Sequence, residues 1–306
     1  GTMKPLSGLR IIEFDGLGPV TFAGMVLADL GAEVLRLTRS AAAGTAAFSE
    51  VGGEVLHRGR PAVAVNLKDP SDHARVMGLS GALHATGEPD RPPRPPLNLV
   101  GDYGGGAMLV VVGVLAALLE AKATGRGRVV DAAMTDGSAL LMSLFYALQA
   151  RGLWSDARGA NLLDGGAPFY RCYTCADGRF VAVGALEPQF YAALITGLGL
   201  TPDEAPQFDM AGWPALHTRF ATLFATRDRD DWATHFAGTD ACVTPVLSLA
   251  EAPNHPHNQA RSTFADTPVQ PAPAPRFGGV AAAPVARPAD LSLAAALAAW
   301  GATAPV

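Results

Sequence analysis

One stretch restricts the fold more than any other: LRIIEFDGLGPVTFAGMVLADLGAEVLRL, residues 9–37. Leu9–Phe14 is a run of strand formers closed by a glycine-containing turn. Pro19 suits the first turn of a helix, where its missing N–H leaves no acceptor unserved. Apolar residues then recur at helical spacing and stop at Gly31. Glu33–Leu37 is a second strand. Strand, helix and strand in that order open a parallel α/β sheet, and Ala62–Leu67 adds a third strand.

The middle of the chain continues the pattern. NLVGDYGGG, residues 98–106, reads as a glycine-rich turn, and the apolar run after it as a helix over Ala107–Ala123 with Gly125 as its stop. GRVVDAAM reads as a strand passing into a helix that runs through DGSALLMSLFYALQARG. From Pro168 the texture changes. Aromatic and β-branched runs flank Ala176-Asp177-Gly178, the signature of a β-hairpin, and helical segments follow near EPQFYAALITGLGL and WPALHTRFATLFATRDRDDWATHFAG. This is a smaller α+β region. The Pro/Ala-rich tail, TPVQPAPAPRFGGVAAAPVARPAD, reads as extended chain over a surface.

Composition removes whole classes of function. With 306 residues, 49% of them hydrophobic, there is ample material for a buried core. The formal net charge of −5 and the lack of any basic block argue against nucleic-acid or polybasic membrane partners. The longest apolar stretch, Ala107–Leu119, falls short of the ~20 residues a membrane span needs. Met3 runs straight into Lys4-Pro5 and a strand, the pattern of a chain without a secretory leader. Three cysteines, of which Cys172 and Cys175 form a C-x-x-C without a second pair or a neighbouring His, make neither a disulfide framework nor a zinc set. The expected compartment is the cytoplasm.

Few residues carry chemistry. The turn DGLGPVTFAG offers Gly16 and Gly18, but Thr21 stands where a dinucleotide fingerprint needs its third glycine. The second strand ends in Arg36 and Arg39, with no acid there for a ribose hydroxyl. Those arginines suit a phosphate, as on the adenosine of NADP or coenzyme A, or are solvated surface. Asp102 is the most informative acid, a lone carboxylate before three glycines and a helix. Amides at a helix start can hold an oxyanion, so the arrangement fits proton abstraction next to a carbonyl. It equally fits a carboxylate nucleophile or plain helix capping. His73 and His84 are candidate bases or loop histidines. Glu187 could orient a histidine or complement the helix that Pro188 opens. His217, His235, His255 and His257 read as surface.

Together these segments resemble the family of α-methylacyl-CoA racemases and class III CoA-transferases. The resemblance is carried by LSGLRIIEFDGLGPVTFAGMVLADLGAEVLRL, VNLKDP, GLSGALHATG, the stretch from PPLNLVGDYGGG to VVDAAMTDGS, PFYRCYTCADGRFVAVGALEPQFYAALITGLGL and FAGTDACVTPVLSLAEAPNHPHNQAR, in the family's order and closer to the racemase branch. It implies a Rossmann-like large domain built from both ends of the chain, expected here at 1–165 and 251–306. A small α+β domain is expected at 166–250, and the whole as an interlocked homodimer. It implies inversion of the centre α to a thioester carbonyl through an enolate, with no metal and no redox cofactor. In that scheme Asp102 is one of an acid/base pair with a His, Glu187 orients the His, and Arg36 contacts the CoA moiety. Gly101, Tyr103, Gly104 and Gly105 complete the substrate-binding motif. In the transferase branch the same Asp is the acyl-accepting nucleophile.

The chain departs from the family between NLKDPSD and GLSGALHATG, where only HARVM stands. The family has there further strands and helices, a CoA-contacting turn and the loop of the catalytic His; the gap corresponds to roughly two βαβ units of about 30 residues each. His73, five residues before Gly78, lies close to where that His falls, with different neighbours. Part of the CoA platform and one base are therefore expected to be missing. The leading expectation is an isomerase of racemase ancestry repurposed for isomerisation or cyclisation of a small molecule not bound as a full acyl-CoA. A 2-methylacyl-CoA epimerase proper, a CoA-transferase and a catalytically degenerate scaffold are the alternatives.

Overall fold

The computed structural model describes residues 4–14, 18–39, 53–65 and 78–301. β1 (Arg10–Phe14), α1 (Pro19–Asp29) and β2 (Glu33–Arg39) form the β-α-β unit, with Arg10 opposite Glu33 and Phe14 opposite Leu37 in parallel register. Pro19 stands in the first turn of α1, after Gly18 at φ 87°, and Gly31 at φ 106° ends the helix in a conformation side chains rarely adopt. α2 (Gly53–Leu56) is a single turn, and β3 (Ala62–Val65) pairs parallel with β2, giving the order β1-β2-β3.

A helical run then extends from Leu99 to Thr124, first as a π-helix (Leu99–Ala107) and then as α3 (Met108–Thr124), which stops at left-handed Gly125. Ala107 and Val111 pack on Ala23, Leu27, Ala28 and Val34 of α1 and β2. Counting only Ala107–Leu119 underestimates this helix. The whole run is 26 residues, long and apolar enough by length and composition to cross a membrane.

The strand expected at Gly127–Met134 is absent. That stretch is irregular, and Val129 is 93% exposed. No described strand lies beside it to supply the ladder on which a strand depends. The helix after it is two, α4 (Met134–Leu141) and α5 (Ser143–Ala150). The Ser143 hydroxyl donates to the Leu140 carbonyl at 2.5 Å, the back-bonding by which Ser bends helices.

The hairpin forms as expected. β4 (Tyr170–Thr174) and β5 (Phe180–Gly184) are antiparallel about Gly178, and β6 (Val243–Pro245) joins β5. α6 (Pro188–Gly197), α7 (Trp213–Phe224) and α8 (Arg229–Phe236) pack with the sheet around Phe169, Tyr173, Val181, Leu194, Trp213, Phe220, Phe224, Trp232 and Phe236. After α9 (Pro256–Arg261) the tail begins as a small hairpin, β7 (Phe264–Asp266) and β8 (Val269–Pro271), which its prolines concealed. It then runs irregularly to α10 (Leu293–Ala299), its Leu291 amide bonded to the Ala62 carbonyl at 2.9 Å.

The chain divides into two compact units. The first holds residues 1–82, 96–143 and 252–306, the second 83–95 and 144–251. Sequence placed the boundaries at 165/166 and 250/251. Within the second unit, the Arg158 guanidinium donates to the carbonyls of His84, Glu88 and Arg91 at 2.8, 3.0 and 2.8 Å, so one side chain holds the proline-rich segment.

Candidate active site

Asp102 lies in the first unit, inside the π-helix. The Tyr103 amide donates to the Asn98 carbonyl at 3.1 Å and the Met108 amide to the Tyr103 carbonyl, both spanning five residues. The stretch read as a glycine-rich turn is therefore helical from Leu99 onward. Asn98 holds the N-cap position and makes no side-chain cap bond, so Asp102 is not the residue that caps this helix. Such π segments are rare and recur at functional sites.

Enclosure of Asp102 follows from the glycines. Asp102 is 5% exposed. A Cβ on Gly18 would stand 2.8 Å from its Oδ1, so only glycine lets the start of α1 approach the carboxylate this closely. Gly106 lies where a Cβ would meet Pro19 at 2.8 Å and Met134 at 3.0 Å. Gly105 faces α4, with Ser138 N and Oγ 2.7 and 2.8 Å from the place a Cβ would take, while a Cβ on Gly137 would fall on the Gly105 carbonyl. Two backbones cross there at a distance no side chain permits. Tyr103 stacks on Phe22 with ring centroids 4.1 Å apart and planes 9° from parallel, fixing the turn from its other side.

This geometry gives the glycines a different task from the one expected. Amides from Tyr103 onward belong to the helical ladder, so Gly104 and Gly105 serve close packing rather than anion binding. The amides that a helix leaves outside its own ladder are its first few.

The other expected site residues are divided between the two units. Arg36 is fully enclosed in the sheet, its Nε 3.8 Å from Glu13 Oε1, and Glu13 also pairs with the enclosed Arg60. Glu13 and Arg60 sit under Gly24 of α1, whose missing side chain makes the room. Sequence reading passed over Glu13, Arg60 and the buried His57. The one available signal was an acid in the middle of an apolar strand. Glu187 belongs to the second unit. It occupies the N-cap position of α6 without a side-chain cap bond and is exposed. His73 lies outside the described residues. His84 bonds through Nε2 to the Asp156 carbonyl at 3.1 Å, which makes it a fastening of its loop. His217, read as surface, is half-buried: it lies against Tyr173, centroids 5.6 Å apart, in the wall of a cavity. Cys172 and Cys175 are free thiols, the first exposed and the second buried, and burial pushes the Cys175 thiol up.

Comparison with known proteins identifies the family. The model of CoA-transferase family III matches residues 6–79 and 75–296. Alpha-methylacyl-CoA racemase of Mus musculus is 38% identical over 346 aligned residues, covering 92% of this chain and 89% of the mouse protein. The Homo sapiens racemase is 37% identical, covering 88% and 86%. A CAIB/BAIF family protein from Brucella suis superposes with a TM-score of 0.75 at 17% identity, over 98% of this chain and all of the other. The mouse alignment is longer than the 306-residue chain, so that racemase carries segments without a counterpart here. The family model matches in two pieces that overlap at residues 75–79, close to where the sequence departs from the family pattern.

Proposed function

The chain belongs to CoA-transferase family III, with racemases among its relatives, and on that premise we propose an isomerase-type enzyme. It moves a proton on the carbon next to a carbonyl or thioester, through an enolate, with Asp102 as acid/base. The observation that carries this reading is a single carboxylate enclosed on a π-helix beside the amides of the helix start. The carboxylate takes the α-proton, the amides stabilise the charge that develops on the oxygen, and enclosure keeps bulk water from competing. Proton transfer of this kind calls for no redox cofactor. Glu187 takes the part of a positioning carboxylate and His73 that of a second base.

The substrate we propose is not a full acyl-CoA. Two findings support this: the segments of the racemase that have no counterpart here, and the enclosure of Arg36 against Glu13. A smaller thioester or carbonyl compound, isomerised or cyclised, fits both. Proton exchange in D2O tests the reading with 2-methylacyl-CoA and with the same acyl group on N-acetylcysteamine. Deuterium at the α-carbon of the small thioester, abolished in Asp102→Asn, is expected. Equal exchange on the CoA thioester overturns the substrate part, and exchange on neither overturns the acid/base part. The family's name favours one second reading, acyl transfer through Asp102, which hydroxylamine would trap as an aspartyl hydroxamate.

A homodimer is also proposed. α3 exposes Val112 and Leu119, the latter at 71%, and Leu140, Leu141 and Leu144 are exposed in α4 and α5. A surface this apolar calls for cover, and a second copy supplies it.

A further inference from the structure

The second unit contains a cavity of about 740 Å3 that the proton-transfer reading does not use. Its walls include Leu163, Tyr170, Arg171, Met210, Trp213 and His217. All of them lie in residues 144–251, and Asp102 is not among them.

Arg171 distinguishes it from a packing defect. Its Nη1 donates to the Gly165 carbonyl at 2.8 Å, and its guanidinium stands over the Tyr173 ring, 5.8 Å from the centroid. The buried Nε has no hydrogen-bond partner among the described residues, and no carboxylate there pairs with this cation. A guanidinium brings five donors in a fixed fork that matches a carboxylate, and here only one is taken. A buried donor without an acceptor is costly, and a ligand oxygen would supply one.

Two acids also border the cavity. Asp164 is fully occupied, its oxygens accepting from the Gly159, Asn161 and Gly166 amides and from Asn161 Nδ2 at 2.7–3.1 Å. Glu88 is exposed. With Asp164 compensated by its own donors and Glu88 out in water, Arg171 is left as the cation available to a single negative charge. Burial, and after it Arg171, push the His217 pKa below its ordinary value, so the imidazole is a neutral hydrogen-bonding group near pH 7. Apart from Cys172 and four glycines, the remaining walls are aromatic and aliphatic.

We propose that this cavity binds a small amphipathic carboxylate, its anionic head on Arg171 and its apolar body against Trp213 and Tyr170. The site is independent of the chemistry at Asp102.

Calorimetric titration of the full-length protein with phenylacetate and with hexanoate tests it, each beside its neutral amide. The expected result is saturable one-to-one binding of the acids, with the amides at least tenfold weaker, because the charge-assisted pair is lost. Arg171→Gln should weaken the acids by the same factor, while Asp102→Asn leaves their binding unchanged. The acid–amide contrast is read on the unaltered protein, so it stands even if Arg171→Gln fails to fold. Equal binding of acid and amide, absence of saturable binding, or loss of binding in Asp102→Asn would each overturn the proposal.

Discussion

The two units bury their hydrophobic surface in different ways. The second builds a core from large rings: Phe169 packs edge-on against Tyr191 and Trp213, and Tyr173 stacks on Phe224, 5.0 Å between centroids. The polar ends of those rings are all met inside the unit. Tyr173 donates to the Pro168 carbonyl, Tyr191 to Ala205, Trp213 to Gln207 and Trp232 to Phe224. The first unit packs mainly alanines, leucines and valines around α1. It leaves Ile12 and Phe14 of β1 more than half exposed, and much of α3 uncovered. Large rings close a core on their own. Small side chains bring backbones together, as a site built on crossing glycines demands, and leave apolar surface for another body to cover.

Removing a central ring from the second unit is the hardest blow to that contrast. Phe220→Ala deletes a fully buried side chain and should cost about 3–5 kcal/mol. Tryptophan fluorescence reads it, since Trp154, Trp213 and Trp232 lie in that unit and only Trp300 in the other. An unfolding midpoint left in place would show that the aromatic cluster is not what holds the unit.

Gly137→Ala strikes the first unit where the backbones cross. The added Cβ falls on the Gly105 carbonyl, an overpacking worth about 1–3 kcal/mol. Displacement of the π-helix should lower turnover more than it lowers the melting temperature. Paired kinetics and calorimetry check this, and wild-type turnover would mean that the crossing does not position Asp102.

Alkali should single out the second unit. Burial pushes the Tyr191 hydroxyl up to about 12 from 10.0, and raises Tyr173 as well. A raised folded pKa means stabilisation that is complete below pH 10 and is lost as the pH climbs from 10 towards about 12. Tyr191→Phe, at about 1 kcal/mol for the lost hydrogen bond, should flatten that decline in a stability-versus-pH series. An unchanged slope would remove Tyr191 as its cause.

The gentlest change is Leu119→Glu on the exposed face of α3. Folding stability should move by no more than about 0.5 kcal/mol, while sedimentation velocity shifts towards monomer. A dimer that persists would place the contact elsewhere.

What the sequence disclosed tracks the range of the interactions involved. The β-α-β unit, the 170–184 hairpin and the stop at Gly125 are local matters of periodicity and turn chemistry, and they were legible. The π-helix was not, because three glycines signal a break in any local reading. Only Gly137, Ser138, Pro19 and Phe22, all far along the chain, show that they were spent on close approach. Asp102 could be recognised as a lone acid with a purpose. The enclosure of Arg36 could not, since its partner Glu13 comes from another strand. The half-burial of His217 was hidden for the same reason: it lies on α7, and its neighbour Tyr173 arrives from β4.

The path of the chain has a consequence of its own. It passes between the units at 82/83, 95/96, 143/144 and 251/252, so neither unit is a contiguous stretch, and neither could be inherited or exchanged as a cassette. Drift in size has to happen inside one pass, between the points where the thread crosses over. The break between the two family-model matches, near residues 75–79, falls inside the first pass and short of the segment that Arg158 fastens.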